Sequence, residues 1–209
     1  MSGPRSYGGE SAHQRTARRR RQLLDAGRHT FGSVGFRAST VRGICRDAHV
    51  ADRYFYELFP TLEDLLVAVY LECIDTLTAA VMSALDDLSG ETELFDFLSE
   101  GVDGFFRAVE DPLLARVVWL EVLGVSPRVD GVYVDAMRGF RDLIIELLVT
   151  RSPDVVVDSA TEHLATAAVG GMSHSAMTWH LDGYVAGRSE IAQSTARFLV
   201  AIVGVIDRR

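Results

Sequence analysis

His163 and His174, with Glu162 beside the first, are residue types that bind zinc or move protons. The two histidines are eleven residues apart, three turns of one helix or about 16 Å. One metal ion cannot take both from a single chain. Cys45 and His49 stand four apart, the spacing of a thiolate and its base on one helical face. That pair straddles a turn expected at 48–50, and Cys45 falls on an apolar face, which argues against a nucleophile. The phosphate-cradling loop, the dinucleotide glycine pattern, the G-x-S-x-G elbow and H-E-x-x-H are all missing. Catalysis is therefore not expected, and neither a metal nor a cofactor is predicted.

The remaining chemistry lies in the arginines, since the chain contains no lysine. Net charge is −8, which at first argues against a polyanionic partner. The distribution reverses that reading. Residues 1–60 carry 11 Arg against 5 acids, a balance of +6, while residues 61–209 carry 10 Arg against 24 acids, a balance of −14. A basic head displaces counterions from phosphates, and an acidic body keeps the rest of the surface off the polyanion. Residues 1–14 are rich in Gly and Ser, show no apolar period, and are expected to form a disordered tail.

These charges need elements to position them. With 209 residues and 48% hydrophobic content, the chain can build one or two soluble domains with a real core. No stretch of about 18 residues is both charge-free and strongly apolar, so no membrane span is expected. The basic N-terminus lacks the apolar run of a secretory signal, and two cysteines suit a reducing cytoplasm. Helical periodicity dominates, which predicts an all-α chain of about nine helices.

A first helix is expected over 15–32, with Leu23, Leu24, Gly27 and Phe31 on its buried stripe. A short second helix follows, capped by Ser39 or Thr40, and a third spans 51–58. A long helix over 61–88 carries a stripe from Leu62 to Leu85. Further helices are expected at 93–109, 112–123, 129–150, 155–181 and 189–206, broken where Gly and Pro gather. Asp154, behind Pro153, is placed at the cap of the 155–181 helix.

Two short helices with a tight turn, seated on an amphipathic helix and locally basic, form a helix-turn-helix at 40–57. The segment 21–66 resembles the TetR family of bacterial regulators. The resemblance is carried by Leu23-Leu24-x-Ala26-Gly27, Phe31, Gly35-Phe36, Ser39-Thr40-Val41-Arg42-x-Ile44, Ala48-x-Val50, Phe55-Tyr56, Phe59-Pro60-Thr61 and Glu63-x-Leu65-Leu66. After the tail over 1–14, it implies a DNA-binding domain over 15–60 and a ligand-binding and dimerisation domain over 61–209.

The resemblance also assigns roles. Thr40 would offer its hydroxyl and amide to a phosphate. Arg42 would reach a guanine edge or a phosphate. Ala51, Asp52, Arg53 and Tyr54 would form the reading start of the recognition helix. Tyr56 and Thr61 would meet backbone phosphates. Asp52 could accept from a cytosine amino group or simply cap its helix. The sequence departs from the family at four places: Arg53 replaces a small residue, Tyr54 a threonine, Leu62 a phosphate-binding lysine, and His49 a turn glycine.

For the body, the resemblance implies a cavity for a small apolar effector. Phe105, Phe106, Trp119, Tyr133, Met137 and Met172 are the candidate lining, although each could equally be ordinary core. The last two helices, over about 155–206, would pair with a second copy as a four-helix bundle. The expected function is a repressor that leaves a palindromic operator when the effector binds. A protein–protein adaptor, or a ligand-sequestering protein with a weak DNA-binding head, stays open as the alternative.

Overall fold

The computed structural model describes residues 11–86, 88 and 90–206. Among these the chain forms nine α-helices, one short 3-10 turn and no strand. The helices are α1 (Ala12–Ser33), α2 (Val41–Asp47), α3 (Asp52–Leu58), α4 (Leu62–Leu85), α5 (Leu94–Val109), α6 (Pro112–Leu120), α7 (Pro127–Arg151), α8 (Ser159–Leu181) and α9 (Arg188–Ile206).

Local signals start most of them. The Ser11 hydroxyl accepts from the Gln14 amide while the Gln14 side chain accepts from the Ser11 amide, a capping box that opens α1 at Ala12. Residues 12–14, expected in the tail, are thus helical; residues 1–10 of that expected tail lie outside the described residues. Thr40, Asp111 and Ser126 cap α2, α6 and α7 with their side-chain oxygens, the last two just before a proline. The expected start of α8 was too early. Asp158, not Asp154, accepts from the Thr161 amide at 2.9 Å, and Val155–Val157 run outside any helix with Val156 and Val157 exposed.

In α1, Leu23, Leu24, Gly27 and Phe31 face inward, and Ile44, Cys45, Val50, Phe55 and Phe59 complete a small core around them. Burying each large side chain is worth about 1.5–3 kcal/mol, enough to fix two seven-residue helices that could not stand alone. By length and composition, α4 and α9 could each cross a membrane. In the fold α4 instead packs on α1 and α5, with Leu65, Leu66, Val69, Tyr70, Cys73 and Leu77 buried, and α9 packs on α5 and α8. Two glycines permit the closest approaches. A Cβ on Gly32 of α1 would lie 2.7 Å from the Leu113 Cα of α6, and one on Gly104 of α5 would lie 2.6 Å from the Ala80 carbonyl oxygen of α4.

Candidate DNA interface and effector cavity

The α2–α3 unit presents most of the expected reading residues together. Thr40, Arg42, Ala51, Asp52, Arg53 and Tyr56 are all exposed. Thr40 Oγ1 accepts from the Gly43 amide at 3.1 Å, which leaves its own proton to donate. The Arg42 side chain is 92% exposed, and its Nε stands 4.0 Å from Asp52 across the turn. Tyr56 is 58% exposed, its ring edge-on to buried Phe55. The turn takes a left-handed residue at His49, φ 54°, the place where the family carries glycine.

Two expected contacts sit differently. Tyr54 is half-buried: the Arg19 guanidinium of α1 lies 3.6 Å from its ring centroid, and Arg53 donates to its hydroxyl. Its ring ties α3 to α1 instead of standing free. Thr61 is exposed, but its hydroxyl donates to Asp64 Oδ2 at 2.6 Å in the capping box that opens α4. Arg128 pairs with Asp64 at 3.1 Å and with Glu63 at 3.4 Å. These bonds and the Arg128 charge hold the Asp64 carboxyl below its ordinary range, so this helix start already carries its own anions. Sequence reading missed Arg19 and Arg20, which lie over Tyr54 and Phe59; the arginine run placed off the buried stripe was the available signal.

Burial, with Asp52 nearby, pushes the Cys45 thiol up to about 11, so it stays protonated. His163 bonds the Ser159 carbonyl of its own helix. Among the described residues no group of three His, Cys, Asp or Glu could hold a metal ion.

In the body, α7 and α8 splay to leave a cavity of about 500 Å³. Trp119 closes its floor, Tyr133 and Met137 come from α7, and Val169 and Met177 from α8. Trp119 Nε1 is buried without an acceptor. Three of the six candidate lining residues, Trp119, Tyr133 and Met137, therefore meet here. The other three do not. Phe105 and Phe106 are buried behind the floor, edge-on to Trp119 and Trp179 at 6.3 and 5.6 Å, and Met172 lines a smaller apolar void against α5. The sequence reading did not include as lining Arg138, Arg141 and His174, which also border the α7–α8 cavity.

Polar bridges join α6 and its flanking residues to the head. Glu121, two residues after Trp119, accepts from the Phe36 amide, Arg28 of α1 pairs with Asp111 at the start of α6, and Arg37 donates to the Gly124 carbonyl.

A helix-turn-helix carried on an all-helical body is the architecture of a DNA-binding regulator. The sequence model of the bacterial regulatory proteins, tetR family, matches residues 23–69. The fatty acid degradation regulator FadR from Bacillus halodurans shares the fold at a TM-score of 0.73 and 19% identity, over 89% of this chain and 95% of its own. FadR from Bacillus subtilis, solved in complex with stearoyl-CoA, gives 0.73 and 18% over 86% and 97%. A tetR-family regulator from Streptomyces coelicolor gives 0.72 and 16% over 90% and 82%. No curated protein matches the chain.

Proposed function

We propose that the chain is a homodimeric cytoplasmic repressor, not an enzyme, that binds a palindromic operator and leaves it when a small apolar ligand fills the α7–α8 cavity. The observation that carries this reading is the exposed, arginine-bearing α2–α3 edge on a body that is otherwise acidic. Arg42, Thr40 and Tyr56 are the leading contacts; Ala51, Asp52 and Arg53 supply the start of the recognition helix.

The dimer reading is supported by exposed apolar residues on the last two helices, among them Phe198, Val205 and Leu181. The face is narrower than the sequence suggested, because Leu199, Val203 and Ile206 are buried within the chain. The Gly171–Phe198 contact brings α8 and α9 close enough to present one continuous surface. Effector control is supported by the cavity and by the Glu121 bridge toward the head. The stearoyl-CoA bound by the Bacillus subtilis relative favours an effector with a large apolar part.

Selection of bound fragments from random double-stranded DNA tests the reading. A repressor of this kind enriches a palindrome whose half-sites are about one helical turn or more apart. A folded protein that enriches no sequence overturns it and favours the adaptor, for which Leu62 and the acid-capped start of α4 would then be the supporting features.

A further inference from the structure

The α7–α8 cavity carries a charge pattern that its surroundings lack. Residues 61–209 hold 24 acids against 10 arginines, yet the cavity wall contains Arg138, Arg141 and His174 and no carboxylate. Arg141 is the more enclosed of the two arginines, with 26% of its side chain exposed against 62% for Arg138. Each has a carboxylate from its own helix, Arg138 with Asp135 at 2.9 Å and Arg141 with Asp142 at 2.6 Å. Those acids are 74% and 62% exposed. Such surface pairs are weak and exchangeable, and a guanidinium with five donors can keep one partner and take a second. Deeper in, the wall turns apolar. Trp119, Met137, Val169 and Met177 form it, and the Ser173 hydroxyl reaches the Met137 sulfur at 3.8 Å across the gap.

We infer that this cavity takes an amphipathic organic anion: a carboxylate, or a like monoanion, whose apolar body lies against Trp119, Met137 and Met177 while Arg141, seconded by Arg138, holds the charged end. The inference rests on the proposed reading of this cavity as the effector site, and it names the chemical class that site selects. A cationic effector would face two guanidiniums with no lining carboxylate to meet it. A neutral one would gain no charge pairing from either guanidinium. A carboxylate matches the guanidinium fork in two parallel bonds.

Three probes with one chain and different heads separate the outcomes: decanoate, decanol and decylamine, titrated calorimetrically into the full chain at neutral pH and below their aggregation limits. Decanoate should bind at least 10-fold more tightly than decanol, and decylamine more weakly than either. Arg141→Gln should remove the 10-fold preference and leave decanol affinity unchanged, with Arg138→Gln acting in the same direction but less. Gly170→Phe, at a helical position where an added Cβ meets nothing within 4 Å, should obstruct decanoate without unfolding the chain. Equal binding of the three probes, no binding of decanoate, or a preference that survives Arg141→Gln overturns the inference. Operator release is read separately. Arg141-dependent decanoate binding that leaves DNA affinity unmoved keeps this inference and sinks the effector reading; release by decanol and decanoate alike does the reverse.

Discussion

The Glu121 carboxylate accepts a hydrogen bond from the Phe36 amide at 2.6 Å and holds the Arg116 guanidinium at 2.7 Å. One side chain just past the end of α6 thus grips the loop that leads into α2. The Glu121 side chain is only 10% exposed, so neither partner can be replaced freely by water. Glu121→Ala should lower stability in urea unfolding by about 1–3 kcal/mol, the cost of leaving a buried charge-assisted donor unmet. Glu121→Gln, which keeps an acceptor for the amide, should lose less. Under the proposed function, operator affinity survives both changes within a few-fold, while the effector's ability to release DNA is reduced. An alanine variant that responds to effector like the parent would remove Glu121 from the coupling.

The head separates contact residues from scaffold. Arg42→Ala and Tyr56→Ala should each weaken operator binding roughly 10-fold without changing Tm, because both side chains are exposed. If Arg42 meets a phosphate, its loss should also reduce the salt slope of binding by about 1. Tyr54 should behave in the opposite way. Its ring lies under Arg19, a contact worth about 0.5–1 kcal/mol, so Tyr54→Ala should lower Tm while Tyr54→Phe leaves Tm and DNA affinity near parental values. Gel shifts and thermal melts on the four variants check the division.

The head was largely legible from the sequence because local chemistry decides it. Thr40 and Thr61 sit at caps, Phe31, Phe55 and Phe59 fall on the buried period, and His49 marks a turn that asks for positive φ. The body was legible as helices but not as a cavity. Aromatic type does not distinguish wall from filler: Phe105 and Phe106 pack the interior, while Trp119 on the next helix faces the void. Which side of α7 turns toward α8 depends on how two long helices cross. Arg138 and Arg141, solvated charges by composition, were therefore invisible as lining. The sequence reading puts Asp154 at the cap of a helix that Asp158 caps instead, four residues later, with Thr161 buried behind it.

Glycine positions give a paired test of the packing. Gly32→Ala would place its Cβ against Leu113 backbone, which must move for α1 to stay on α6. A cost of about 1–3 kcal/mol is expected, as for other overpacked contacts. Gly139 lies inside α7 with open space around it, so Gly139→Ala should stabilise by about 0.5–1 kcal/mol through backbone entropy alone. Chemical denaturation of the two variants should move in opposite directions. A Gly32→Ala variant as stable as the parent would mean that α1 and α6 are not held as closely as described.

His180 gives the chain a pH dependence of its own. The Tyr184 hydroxyl donates to the Val109 carbonyl at 2.9 Å, so it accepts from His180 Nδ1–H, also at 2.9 Å. Burial, helped by the nearby Arg116 charge, lowers the His180 pKa from its ordinary 6.5. The folded chain therefore binds this proton less readily than the unfolded chain does. Stability is complete above the unfolded value and declines as pH falls through 6.5 toward the lower folded value, where the loss levels off. Protonation does not break the bond to Tyr184, since Nδ1 keeps its hydrogen; the cost comes from placing a cation beside Arg116 in a partly desolvated site. His180→Asn retains a donor near the same place and cannot titrate. The parent should lose Tm between pH 7.5 and about pH 5 more steeply than the variant. Parallel profiles for the two proteins would show that His180 does not contribute.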